Sequence, residues 1–222
     1  MKVHVKICGL RRQEDLNCAA SLGVDLCGFI FAAKSPRRLA PEEAAVLDSR
    51  GMIRVGVVTD TDPDSLQRLV QTARLDMLQL HGDQTESCIQ ALGLPPEKII
   101  WTLWPSRYGD VKALQEAMNR LAPMAGFFLL DAGTGGGGSG NRIALNFLKE
   151  LRSPRPWIVA GGLGPANVAE VIRSCADANF YGVDLNSVLE VTPGCKDTKL
   201  MQEALHSIME ASFLWKAVDS RR

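Results

Sequence analysis

Apolar residues in this chain fall into eight short runs, and helical spacing follows each of them. The first run is Val3-His4-Val5-Lys6-Ile7-Cys8-Gly9, where successive side chains alternate between faces as they do on a strand. Val3, Val5 and Ile7 make one apolar face, and His4, Lys6 and Cys8 share the other. Later runs, at 25–31, 52–58, 76–81, 98–104, 126–131, 157–160 and 179–185, are more continuously apolar. Between and after them the spacing predicts helices at 13–22, from Pro41, at 63–73, 84–92, 110–121, 143–151, 165–175 and 198–215. Pro41 suits a first helical turn, and Glu42 and Glu43 suit its positive end, while Gly23 ends the first helix.

Eight strand–helix units of roughly 25–30 residues match a (β/α)8 plan. Nearly continuous apolar strands fit a parallel sheet covered by helices. A doubly wound open sheet is the alternative, but it seldom uses eight uniform repeats. The expectation is an α/β fold, a single-domain TIM barrel of parallel strands over residues 1–222, with the tail from Asp219 to Arg222 fraying.

Composition narrows the class. Hydrophobic content of 46%, charged content of 23% and a formal net charge of zero suit a soluble globular protein. They argue against a nucleic-acid or membrane partner held by bulk charge. No apolar run approaches membrane-spanning length, and the N-terminus lacks a signal-peptide pattern. Cys8, Cys18, Cys27, Cys88, Cys175 and Cys195 show no metal-type pairing and read as reduced thiols, placing the chain in the cytoplasm.

In such a barrel the chemistry sits at the C-terminal ends of the strands. Those ends present Cys8 on the first strand, His81 on the fourth, Asp131 on the sixth and Asp184 on the eighth, with Asn186 and Ser187 just beyond. Gln79 and His81 share one face of their strand, as do Phe127, Leu129 and Asp131 of theirs. Gly161-Gly162-Leu163-Gly164-Pro165 leads from the seventh strand into a helix, where free N–H groups suit an anion. In isolation such a turn is equally a plain connection, but its place after the seventh strand favours phosphate. The turn from Gly182 to Ser187 after the eighth strand is the second phosphate candidate.

Lys34-Ser35-Pro36-Arg37-Arg38 is either a solvated charge run or a clamp for a substrate carboxylate, and its place over the barrel mouth favours the clamp. His81 reads as a hydrogen-bonding residue rather than a base, and Lys6 as a barrel-interior ion pair rather than a Schiff-base lysine. Trp101, Trp104, Trp157 and Trp215 read as packing residues, and the histidines do not form a metal-ligand pattern.

Taken together these residues resemble the phosphoribosylanthranilate isomerase family of tryptophan biosynthesis. The matching pieces are Lys6-Ile7-Cys8-Gly9-Leu10, Gly28-Phe29-Ile30-Phe31 with Ser35-Pro36-Arg37, and Leu78-Gln79-Leu80-His81-Gly82. Leu130-Asp131, Ala160-Gly161-Gly162-Leu163, Gly182-Val183-Asp184 and Pro193-Gly194-Cys195-Lys196-Asp197 follow in order. The resemblance implies that Cys8 is the general base, Asp131 the general acid and Arg37 the carboxylate anchor. His81 is expected to touch substrate, and Gly161, Gly162, Leu163, Asp184, Asn186 and Ser187 to hold its phosphate. It also implies a phosphorylated small-molecule substrate, no cofactor, no metal, and a monomer or homodimer.

This chain departs from the family in three places, one of them Ile143-Ala144-Leu145 where Phe-Asp-Trp is frequent. Asn141 and Arg142 stand where a lysine is usual in the loop after the sixth strand, and Asn186-Ser187-Val188-Leu189-Glu190 replaces a Ser-Ser-Gly-Val-Glu-like turn. The implied reaction is an Amadori rearrangement, in which one acid opens the sugar ring and one base removes a carbon-bound proton. Its base calls for a thiol lowered by a cation such as Lys6 or Arg37, and so for a Cys8 that is alkylated faster than Cys195 at neutral pH. The alternative is a barrel that binds a sugar phosphate without turning it over.

Overall fold

The computed structural model describes residues 2–132, 145–175 and 177–219. Eight parallel strands close into a barrel in sequence order: β1 (His4–Cys8), β2 (Leu26–Ile30), β3 (Ile53–Val58), β4 (Met77–Leu80), β5 (Ile99–Leu103), β6 (Phe127–Asp131), β7 (Trp157–Ala160) and β8 (Phe180–Leu185). Helices α1 (Gln13–Ser21), α2 (Pro41–Val46), α3 (Pro63–Thr72), α4 (Glu86–Leu92), α5 (Val111–Leu121), α6 (Leu145–Glu150), α7 (Val168–Ser174) and α8 (Thr198–Asp219) alternate with them. The (β/α)8 barrel expected from the hydrophobic pattern is the one observed. The Asn141–Arg142 departure, the expected helix start at Ile143 and the end of the tail lie outside the described residues.

Helix starts follow local chemistry. Side chains of Asp62, Thr85 and Asp110 accept from the backbone N–H groups of Ser65 (3.0 Å), Cys88 (3.2 Å) and Ala113 (2.8 Å), each supplying an acceptor to a donor that lacks a helical partner. α7 begins at Val168 rather than Pro165 because Asn167 fastens the preceding turn. Its Oδ1 accepts from the Gly164 N–H at 2.9 Å and its Nδ2 donates to the Gly162 carbonyl at 2.9 Å. An antiparallel hairpin that the hydrophobic pattern did not predict, β9 (Glu190–Thr192) and β10 (Cys195–Lys196), follows β8 and turns at Pro193-Gly194.

The strand faces divide as alternation requires. Val5, Ile7, Cys27, Phe29, Leu78, Leu80, Phe128 and Leu130 pack outward against the helices. Leu26, Val55, Met77, Ile100, Leu129 and Ile158 fill the barrel interior, with Cys8, Ile30 and Val57 in a layer nearer the C-terminal mouth. Between β7 and β8 the register slips by one residue, so Trp157 pairs with Phe180 but Ile158 with Gly182. That extra residue sends Phe180 outward into the main core and Tyr181 against the interior layer. Tyr181 stacks on His4 with ring centroids 4.1 Å apart and meets Phe127 edge-on at 5.0 Å, forming an aromatic floor.

Arg54 shows how the helices are anchored to the barrel wall. Buried on the outer face of β3 over the Phe29 ring, it donates to the carbonyls of Ala44, Leu47, Ala73 and Arg74, at 2.6, 2.9, 3.0 and 2.9 Å. Those carbonyls close the C-terminal ends of α2 and α3, where a cation is also favoured by the helix dipole. Replacing Arg54 by Met strands these acceptors, and should lower stability by about 3 kcal/mol. That corresponds to a melting temperature lower by about 6–12 °C for a chain of this size. Calorimetry checks it, and an unchanged melting point would show that the arginine does not hold the helix ends.

Candidate active site

β1 ends in Cys8, with Lys6 one layer deeper on the same interior face. Lys6 and Asp184 are register partners across the β1–β8 pair, and their side chains meet at 2.8 Å with the lysine fully buried. This is the interior ion pair expected of Lys6. Burial opposes the charge on Lys6, yet Asp184 and then Cys8 outweigh it and keep the lysine above its ordinary range. Asp184, expected at the phosphate, thus gives Oδ2 to Lys6, while its Oδ1 is buried without a donor among the described residues.

The thiol runs against its expectation. Burial pushes Cys8 up from its ordinary range, and the opposing pull of Lys6, with a smaller one from Lys196, does not overcome it. Neighbouring cations are visible in the sequence. The desolvation that outweighs them is not.

On β4, His81 follows Leu80 and turns toward β5 and β6. Its Nδ1 lies 3.3 Å from both Gln79 Nε2 and Thr102 Oγ1, and its Nε2 lies 3.5 Å from Asp131 Oδ2. One ring nitrogen thus faces the Gln79 amide and the Thr102 hydroxyl, and the other faces Asp131. Burial holds His81 below its ordinary range, although Asp131 pulls the other way. The imidazole is then neutral at pH 7, which suits a hydrogen-bonding role. Trp104 meets His81 edge-on at 5.4 Å and stacks under Arg107 at 4.1 Å. It is thus part of the rim as well as of the core, and its indole N–H is buried without an acceptor among the described residues.

Arg37 reaches the mouth from the loop after β2. The Ser35 hydroxyl accepts from its backbone N–H at 3.1 Å, and its guanidinium is paired with Glu190 of the hairpin at 2.6 Å. Gly9, at φ +73°, makes room for it: a Cβ there would lie 2.9 Å from Arg37 Cδ and 2.7 Å from Asn186 Oδ1. After β7, Gly161 runs close to the acid, and a Cβ on it would fall 3.0 Å from Asp131 Oδ1. Leu163 sends its side chain into the helix-facing core, so only its backbone is available to a ligand. Asn186 accepts from Lys196 Nζ through Oδ1 at 2.9 Å, which leaves its amide N–H₂ without an acceptor among the described residues. Ser187 opens a short 3₁₀ turn beside it. No group of three His, Cys, Asp or Glu side chains among the described residues is arranged to hold a metal ion.

Residues 5–207 match the model of the N-(5'-phosphoribosyl)anthranilate (PRA) isomerase family. The chain belongs to the PRA isomerase family. It is 43% identical over 201 residues to the N-(5'-phosphoribosyl)anthranilate isomerase of Desulfovibrio desulfuricans, covering 90% of this chain and 93% of that one. With the enzyme of Maridesulfovibrio salexigens it shares 36% identity over 208 residues, covering 94% and 99%. The crystal structure of phosphoribosyl anthranilate isomerase from Thermus thermophilus superposes with a TM-score of 0.78 at 31% identity, over 94% of this chain and 99% of that one.

Within this PRA isomerase barrel, strand ends and their loops bring Cys8, Arg37, His81, Asp131, Gly161 and Asn186 to one rim. The sequence reading missed Glu190 and Lys196, which sit in the unpredicted hairpin, and took Trp104 for packing alone. A thiol kept protonated by burial reacts slowly with alkylating agents. Cys8 is 4% exposed whereas Cys195 is partly exposed, which reverses the expected order of labelling. At pH 7 iodoacetamide should modify Cys195 before Cys8. Mass spectrometry of peptides after timed labelling checks the order, and Cys8 reacting first at pH 7 would contradict it.

Proposed function

We propose that this chain converts N-(5'-phosphoribosyl)anthranilate to 1-(2-carboxyphenylamino)-1-deoxyribulose 5-phosphate, the isomerase step of tryptophan biosynthesis, by acid–base catalysis between Asp131 and Cys8. The observation that carries the reading is the family match over residues 5–207, and the ends of β1 and β6 that carry Cys8 and Asp131 on one barrel rim support it. Asp131 gives its proton to the ring oxygen of the sugar, and the bond from that oxygen to C1 breaks. The anthranilate nitrogen lone pair moves in to form an iminium at C1. In the fraction of molecules whose Cys8 has released its proton to solvent, the thiolate then removes the proton on C2. The released electron pair makes the C1–C2 double bond of an enol-amine, and the iminium π pair returns to nitrogen. Tautomerisation gives the C2 ketone and a protonated C1.

The elevated thiol has a consequence for this sequence of steps. A thiolate formed from a weaker acid is a stronger base, and the cationic iminium makes the C2 proton easier to remove. Lys6 and Lys196 offset part of the cost of the thiolate. His81 faces Asp131 and so orients the acid at the substrate. Arg37 holds the anthranilate carboxylate through a charge-assisted pair. Backbone N–H groups of Gly161, Gly162 and Leu163, with the side chains of Asn186 and Ser187, receive the phosphate. Asp184 serves as the counter-ion of Lys6 and is withdrawn from the phosphate set, since a second anion there would repel the ligand.

Asp131→Asn keeps shape and hydrogen bonding but cannot deliver the ring-opening proton. Its turnover should fall by about 10²–10⁴-fold with KM little changed, and near-normal turnover would remove Asp131 from the acid role. Cys8→Ser should fail to restore growth without tryptophan to a bacterium lacking the isomerase, while the parent restores it. If the parent does not restore growth but still binds inorganic phosphate, the barrel is a sugar-phosphate binder. Arg37→Ala should weaken substrate by about 1.5–3 kcal/mol and leave inorganic phosphate bound as before. Equal losses for both ligands would move Arg37 to the phosphate.

A further inference from the structure

We propose that Glu190, carried by the β9–β10 hairpin, is a positioning residue that aims Arg37 and so sets selectivity for a carboxylated over an uncarboxylated arylamine sugar phosphate. The proposal rests on the reading of Arg37 as the carboxylate anchor. A guanidinium presents two bidentate edges, one from Nε and Nη2 and one from Nη1 and Nη2. Glu190 takes the first: Nε lies 2.9 Å from each of its oxygens and Nη2 lies 2.6 Å from Oε2. Nη1 has no acceptor among the described residues. The Nη1–Nη2 fork is therefore the edge left for a second carboxylate.

Glu190 is itself held from three sides. Its side chain is only 3% exposed, and besides Arg37 it accepts from Lys196 Nζ at 2.9 Å and from the Gly194 N–H at 3.1 Å. Burial works against its charge, but Arg37 and then Lys196 hold its carboxyl below the ordinary range. Lys196, with a fully buried side chain, also donates to the carbonyl and Oδ1 of Asn186, tying the hairpin to the end of β8. On the other side, Gly9 and Ser35 confine the arginine stem and backbone. The plane of the guanidinium is thus set by groups that belong to β1, the β2 loop and the hairpin together.

Two cations surround one carboxylate here, so the cluster keeps a net positive charge. This makes the role of Glu190 separable from simple attraction. Removing its negative charge raises the local positive potential and, by Coulomb attraction alone, would tighten a carboxylated substrate. Losing the clamp frees the guanidinium to rotate, and weakens it. The two effects have opposite signs.

The test is kcat and KM for N-(5'-phosphoribosyl)anthranilate and for N-(5'-phosphoribosyl)aniline, which lacks the carboxylate, in the parent, Arg37→Ala and Glu190→Gln. In Glu190→Gln, KM for the anthranilate compound should rise about tenfold or more, by more than kcat falls, while KM for the aniline compound moves less than about threefold. A fall in KM for the anthranilate compound, no change in it, or an equal rise for both compounds would overturn the proposal. Arg37→Ala should erase the preference between the compounds. If that preference survives in Arg37→Ala, the anchor reading itself fails, whatever Glu190 does. Should Glu190→Gln not fold, Glu190→Asp keeps the charge one methylene further back. It should show an intermediate preference, and a preference equal to the parent's would overturn the proposal.

Discussion

A lysine and an aspartate inside the barrel, Lys6 and Asp184, define the seam on which the rest of the mouth depends. They face each other across β1 and β8, the first and last strands, where the closed sheet is completed. Moving two charges out of water is expensive, and their attraction offsets that cost only in good geometry. A register slip of one residue between β1 and β8 would turn one partner outward and leave the other buried alone. The pair therefore penalises every closure of the barrel but one. Because Cys8 lies two residues beyond Lys6 and Asn186 two beyond Asp184, the same registration sets the base and the β8 turn relative to each other.

Around this seam the charges are shared rather than paired off. Lys6 serves Asp184 and bears on Cys8, while Lys196 serves Glu190 and Asn186 and also bears on Cys8. The resting thiol lies beside cations already engaged by carboxylates, and burial keeps it protonated. The arrangement separates stability from reactivity: the cations are anchored by carboxylates, and their residual field reaches the sulfur.

Much of the barrel was legible because its signals are local. Gly and Pro punctuate apolar runs, and alternation alone assigned Lys6, Cys8, Gln79, His81 and Asp131 to interior faces. What escaped notice depends on distance along the chain or on a missing period. Arg37 and Glu190 are 153 positions apart, and hairpin strands of two and three residues carry no periodicity to read. Pro193-Gly194 was a usable turn signal. The β8 slip was invisible because Phe180 and Tyr181 are both aromatic, and either suits either face. The thiol was misjudged for a related reason: charge is written in the sequence, whereas depth is created by folding.

The slip at Tyr181 gives the two ends of the barrel different linings. Tyr181 stacks on His4 and is braced by Phe127, and apolar side chains of the interior pack above them beneath Lys6. The one extra residue that turns Tyr181 inward therefore gives the barrel its polarity: aromatic rings occupy the N-terminal interior, and Cys8, His81 and Asp131 gather at the opposite end.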